Sequence, residues 1–167
     1  MTFQALLSRF KLEREAFRNR IGKLDPVLAA HKPGGDVWSA AQVIGHMAIS
    51  EQSFVNAIVE AAELGIEGTP TQSLIIPIGC LIMNLGIPIP NPPEMEPSSE
   101  IDLQEALQGF DSAGEAFISW MEAAEDPIHK VMAKAGKLGN VSAHQMLKIT
   151  DSHLKYHKLR LERARVI

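Results

Sequence analysis

A single cysteine, Cys80, rules out an internal disulfide, so no covalent staple supports this chain. A strong charge of either sign is also missing. The net charge is -4, which carries no bulk signal for nucleic acid. No apolar run is long enough to span a bilayer. The longest, Leu74 to Ile89, is broken by Pro77, Gly79, Asn84, Gly86 and Pro88. The opening MTFQALLSRFKLEREAF turns charged and amphipathic at once, without the apolar stretch and small-residue cleavage site of a signal peptide. These absences make cytoplasm the expected compartment. There is no P-loop, no glycine-rich dinucleotide fingerprint and no serine-centred nucleophile elbow. The β signal is poor throughout.

What is present is helical. The 167 residues fit one domain, 1–167, and a 46% hydrophobic content is enough for a real core. The first helix is predicted over Phe3 to Ala30, where Leu6, Leu7, Phe10, Leu12, Phe17, Ile21 and Leu24 recur at roughly helical spacing. Asp25-Pro26 kinks or interrupts it, because proline lacks the amide hydrogen and clashes with the preceding turn. HKPGGD, His31 to Asp36, is a loop. The second helix opens on the capping box Ser39-Ala40-Ala41-Gln42 and stops near Gly65. The third spans Ile101 to Ala124 and ends before Asp126-Pro127. A polar, basic loop, His129 to Gly139, leads to a second capping box, Ser142-Ala143-His144-Gln145, and a last helix ending near Arg163.

Between the second and third helices lies Gly65 to Ser99, with Pro70, Pro77, Pro88, Pro90, Pro92, Pro93 and Pro97 and a short helical piece around Ile78 to Leu85. A connection this long is functional or a crossover. The fold class is therefore all-α, a four-helix bundle with a long Pro-rich connection between helices 2 and 3. Short links make helices one and two, and three and four, antiparallel pairs.

The chemistry-bearing residues are histidines. At about 100° per residue, His153 and His157 stack one turn apart on the last helix, beside Met146 and Thr150. Lys148, Asp151, Lys155, Lys158 and Glu162 take the opposite side. His46 shares an arc of the second helix with Ser39, Ser50, Ser53 and Ala57, next to Val43, Met47 and Phe54. All three rings are expected to point inward. Burying an imidazole without a partner is costly. Either each ring is an interior histidine satisfied by a carbonyl or hydroxyl, or the three share one metal ion. Residues Leu154, Lys155 and Tyr156 separate the pair, so no HExxH motif exists and a metalloprotease would lack its general base.

Other candidates have plainer readings. His31 and His129 belong to loops, and His144 lies in a first helical turn with a surface role, or at a pocket mouth. Cys80 is expected buried and inert. Arg160 falls near the histidine arc, where it forms a structural ion pair or meets an anionic substrate. Trp38 precedes the Ser39 cap as a hydrophobic staple. Trp120 lies on the apolar side of the third helix or its edge. Glu13, Glu15, Glu60 and Glu63 read as solvated faces.

Trp38-Ser39 ahead of a helix bearing His46, the stretch Pro90 to Pro97 (PNPPEMEP), and His153-x-x-x-His157 on the last helix occur here in a characteristic order. In these features the chain resembles the DinB/YfiT-like metalloenzyme family over nearly its whole length. The resemblance implies a four-helix bundle, a divalent metal, nickel or zinc, held by His46, His153 and His157, and a homodimer. Relatives with known activity include transferases and isomerases that activate a low-molecular-weight thiol at the metal. The function expected is a metal-dependent transferase or hydrolase, with a water or a low-molecular-weight thiol activated at the metal. The alternative is a non-catalytic, stress-related bundle that binds a metal or small molecule. Neither reading involves nucleic acid or membrane, and no catalytic acid or base can be named.

Overall fold

The computed structural model describes residues 1–34, 37–72 and 74–167, without the Lys137 side chain. Gly35 and Asp36 of the expected His31–Asp36 loop, and Ser73 of the long connection, lie outside the described residues. In chain order the helices are α1 (Phe3–Ile21), α2 (Pro26–Ala30), α3 (Ala40–Glu63), α4 (Ile75–Asn84), α5 (Leu103–Glu122) and α6 (Ala143–Arg163). A two-residue hairpin, β1 (Ala133–Lys134) with β2 (Asn140–Val141), precedes α6. The chain is all-α in class, as its periodicity predicts.

Small polar residues start each long helix, because the first amides have no partner within the helix. Thr2 Oγ1 accepts from the Ala5 amide at 3.2 Å, and Asp102 Oδ1 from the Gln104 amide at 2.8 Å. Both predicted capping boxes form. Ser39 Oγ accepts from the Gln42 amide at 3.2 Å, and Ser142 Oγ from the Gln145 amide at 3.3 Å. Each glutamine returns the bond to its serine's amide. Near Asp25-Pro26 the first helix is interrupted rather than kinked. It ends at Ile21, and Asp25 caps the separate helix α2 with Pro26 in its first turn.

The bundle core is built from Phe10, Phe17, Phe110 and Phe117, all fully buried, with Ile21, Ile44, Met47 and Leu107. Phe10 and Phe117 meet edge to face with centroids 6.0 Å apart. Burial of each such side chain stabilises by about 1.5–3 kcal/mol. Leu12, which the spacing placed on the apolar stripe of α1, is 68% exposed. At about 100° per residue it lies roughly opposite the face that Phe10 and Phe17 share. The most extensive helix contacts join α3 to α5 and α4 to α6, with α1 also against α6. The long connection therefore links the two helices that pack most closely.

Two ion pairs depart from the simple polar-out pattern. Arg14 and Glu51 are both buried, with Nη2 to Oε2 at 2.9 Å. The Arg14 guanidinium also donates to the Phe110 carbonyl and lies 3.6 Å over the Phe110 ring. A Cβ at residue 114 would strike that guanidinium, so Gly114 leaves it room. Asp151, assigned by the helical arc to the solvent side of α6, is instead buried between Arg9 and Lys155, each 2.7 Å from Oδ2.

The connection between α3 and α5 is well anchored. Near its start the Thr71 amide donates to the Asn140 carbonyl at 2.7 Å, and Gln145 donates to the Thr71 carbonyl at 3.0 Å. Its central helix, α4, begins three residues earlier than predicted. Pro77 sits in its first turn, where an amide hydrogen would have no helical partner. The connection then closes a 3-10 turn at Pro93–Met95 against α3. Gly45 gives the following segment room there, since a Cβ would lie 2.5 Å from Ile101 Cδ1. Among the described residues no helix is long and apolar enough to cross a membrane.

Candidate metal centre

His46 stands in the second turn of α3, directed inward by the Ser39 capping box and the buried run Val43, Ile44 and Met47. His153 and His157 project one turn apart from α6, a spacing that lets two rings converge. The structure brings all three together. His46 Nε2 and His153 Nε2 are 3.0 Å apart, and His157 Nε2 lies 2.9 Å from His153 Nε2. His46 and His157 are buried, and His153 is partly exposed.

The chemistry of these contacts is selective. The Met95 carbonyl lies 2.7 Å from His46 Nδ1, so that nitrogen carries the proton and donates it. The Nε2 of a neutral His46 is then a bare lone pair facing His153. The single Nε2 of His153 has one bonding direction but two nitrogen neighbours. The rings alone thus leave at least one close nitrogen–nitrogen contact without a good hydrogen bond. A cation accepting all three lone pairs removes the conflict. Nitrogens bound at about 2.1 Å and separated by angles of about 90–110° stand about 3.0–3.4 Å apart, close to the spacing found. A histidine ligand also commonly donates its other ring N–H to a carbonyl, as His46 does. The residues present fit a divalent ion.

Electrostatics favours the same state. Burial, opposed by the Met95 bond, holds His46 below the ordinary histidine value. Burial and the neighbouring His46 push His153 down to about 3. Burial, then His153, His46 and Arg160, push His157 well down. All three imidazoles are therefore neutral near pH 7, the form that binds metal. Among the described residues no cysteine, aspartate or glutamate joins the three.

A family model of the DinB superfamily matches residues 9–159, a span that contains all three histidines. The chain belongs to the DinB superfamily. Searches of curated proteins and of solved structures returned no match.

The remaining walls of this DinB centre come from residues with other expected duties. Trp38, read as a staple, stacks on His157 with centroids 6.1 Å apart and tilts against His46 at 4.8 Å. Tyr156 meets the His157 ring edge-on at 4.9 Å. Arg160 donates to the Tyr156 hydroxyl at 2.7 Å, and no acid pairs with it among the described residues. Its expected structural ion pair is therefore replaced by a phenol contact. The Met95 carbonyl left no signal in the sequence, because any residue could supply it.

The other histidines stand apart from the centre. His31 is exposed, and the exposed His129 pairs with Asp126 at 3.1 Å. His144 is partly buried against the edge of Phe3. Cys80 is half-buried rather than fully buried, its Sγ 3.6 Å from the Lys148 carbonyl. Burial pushes its thiol up, which agrees with an inert side chain.

Proposed function

We propose that this DinB-superfamily chain is a divalent-metal-dependent transferase or hydrolase with His46, His153 and His157 as its ligands. One observation carries the reading. Three neutral imidazole nitrogens converge, and no fourth histidine, cysteine or carboxylate closes the set among the described residues. Three neutral side chains leave coordination positions and the ion's full positive charge available. Such an ion supplies the acidity that turns a water, or a low-molecular-weight thiol, into a nucleophile near neutral pH.

The chain's own residues divide the remaining work. The Met95 carbonyl fixes the His46 tautomer and aims its Nε2 at the centre. Trp38 and Tyr156 wall the histidines and limit water. Arg160, held by the Tyr156 hydroxyl, keeps further N–H groups for an anionic substrate. Nickel and zinc are the metals we propose, since imidazole donors suit both.

The test is turnover by metal-loaded protein with thiol donors of the bacillithiol, mycothiol and glutathione types. Metal-dependent consumption of a donor supports the transferase reading. Silence with every donor and with simple ester substrates would leave a non-catalytic metal-binding bundle. We further propose a second copy of the chain as partner. The stripe Ile75, Ile78, Leu81 and Leu85 on α4 is 52–58% exposed, and no charged residue occurs between Glu67 and Glu94. A monomer by light scattering, unchanged in Ile78→Asp, would remove that partner.

A further inference from the structure

Arg160 continues the face of α6 that carries the metal centre. His153, His157 and Arg160 are spaced i, i+4 and i+7, which at about 100° per residue places them within about 60° of arc. Tyr156 links Arg160 to the centre. Its ring meets His157 edge-on at 4.9 Å, and its hydroxyl accepts from Arg160 Nη1 at 2.7 Å. The guanidinium carbon lies 5.5 Å from the centre of the same ring. The cation thus stands one aromatic ring away from a histidine of the centre.

What the tyrosine leaves over is specific. Arg160 Nη1 is engaged, whereas Nε and Nη2 have no hydrogen-bond partner among the described residues. Neither belongs to the enclosed polar atoms that lack a partner, so both reach solvent from this partly buried side chain. Elsewhere in the chain the same edge of the guanidinium binds carboxylates. Arg14 holds Glu51 with Nε at 3.2 Å and Nη2 at 2.9 Å. Arg18 holds Asp111 with Nε at 3.1 Å and Nη2 at 2.8 Å. Arg160 presents that fork with no acid on it among the described residues. Glu162 on α6 pairs instead with Arg20 at 3.1 Å. Glu94 and Glu96, which flank Met95, are exposed and make no ion pair with it. Charge sharpens the preference. Three neutral imidazoles leave a bound ion its full positive charge, and Arg160 adds another on the same face. Like charges this close repel, and an anion between them relieves both.

On the metal-dependent reading above, we propose that Arg160 binds the substrate's carboxylate, so that this centre selects short organic acids. A second donor group of the acid occupies the ion, and the carboxylate accepts from Arg160 Nε and Nη2. A carboxylate matches this planar fork with two parallel bonds, as it does on Arg14 and Arg18. Tyr156 is a positioning residue. Its hydroxyl holds Nη1 and leaves the other edge of the guanidinium free.

Thiols of one length and different charge test this on the nickel-loaded full chain. The probes are 3-mercaptopropionate, 3-mercapto-1-propanol and 3-amino-1-propanethiol, titrated by the sulfur-to-nickel charge-transfer absorption. Wild type should bind the acid at least about tenfold more tightly than the alcohol, the effect of one charge-assisted contact, and the amine most weakly. Arg160→Gln should erase the preference for the acid and Tyr156→Phe should reduce it. Both variants should keep their nickel and their affinity for the alcohol. A preference kept in Arg160→Gln would put the carboxylate on the ion itself and overturn the proposal. Equal affinities for the three thiols in wild type, no absorption with any of them, or loss of nickel from Arg160→Gln would also overturn it while leaving the wild-type ion in place. A wild type that holds no nickel would remove the centre, and this subsite with it.

Discussion

Acid should destabilise the metal-free protein through its histidine cluster, and removing one ring should remove a defined part of that effect. His153 is held down to about 3 in the folded chain, chiefly by burial. In the unfolded chain it returns to about 6.5. Between these values the unfolded state binds more protons, so stability rises with pH and falls as pH falls. The contribution is fully present above about pH 6.5 and lost as pH drops toward 3. At pH 5 the gap from 6.5 is about 1.5 units, which at about 1.4 kcal/mol per unit makes about 2 kcal/mol from His153 alone. Urea unfolding with EDTA at pH 8, 6.5 and 5 reads this directly. Wild type should lose at least about 2 kcal/mol more than His153→Ala between pH 8 and pH 5. His46 and His157 shift in the same direction and add to the wild-type loss. The variant's lower absolute stability does not matter, because the comparison is of slopes. Parallel pH profiles in the two proteins would refute the reasoning, since they would mean that His153 titrates alike folded and unfolded.

Two further outcomes rest on other parts of the structure. Glu51→Ala would leave the Arg14 guanidinium buried without its carboxylate and should cost about 3–5 kcal/mol in urea unfolding, more than Glu51→Gln; a loss below about 1 kcal/mol would show the pair to be open to water. Trp38 touches two of the three histidines, whereas Trp120 lies on α5. Nickel addition should therefore quench the fluorescence of Trp120→Phe and leave that of Trp38→Phe nearly unchanged, and the reverse pattern would place the ion elsewhere.

The sequence exposed those features that depend on local spacing. Both capping boxes, the four long helices and the inward arcs of His46, His153 and His157 follow from residues within a turn or two of each other. What stayed hidden depends on partners distant in the chain. Asp151 looks like a surface acid until Arg9 arrives from α1, and the Arg14 partner of Glu51 likewise comes from α1. Met95 acts through its carbonyl, which every residue has. The hairpin at Ala133–Lys134 and Asn140–Val141 has too few residues per strand for alternation to register. Arg160 has no acid partner among the described residues and donates to the Tyr156 hydroxyl, a contact that the helical arc alone did not indicate.

The central claim is that three converging imidazoles hold one ion. Metal analysis of purified wild type and His153→Ala, each loaded with nickel or zinc and then desalted, tests it most directly. The account predicts roughly one ion per wild-type chain and a sharp fall in the variant, with most helicity kept. Equal metal content in the two proteins, or none in either, would contradict it.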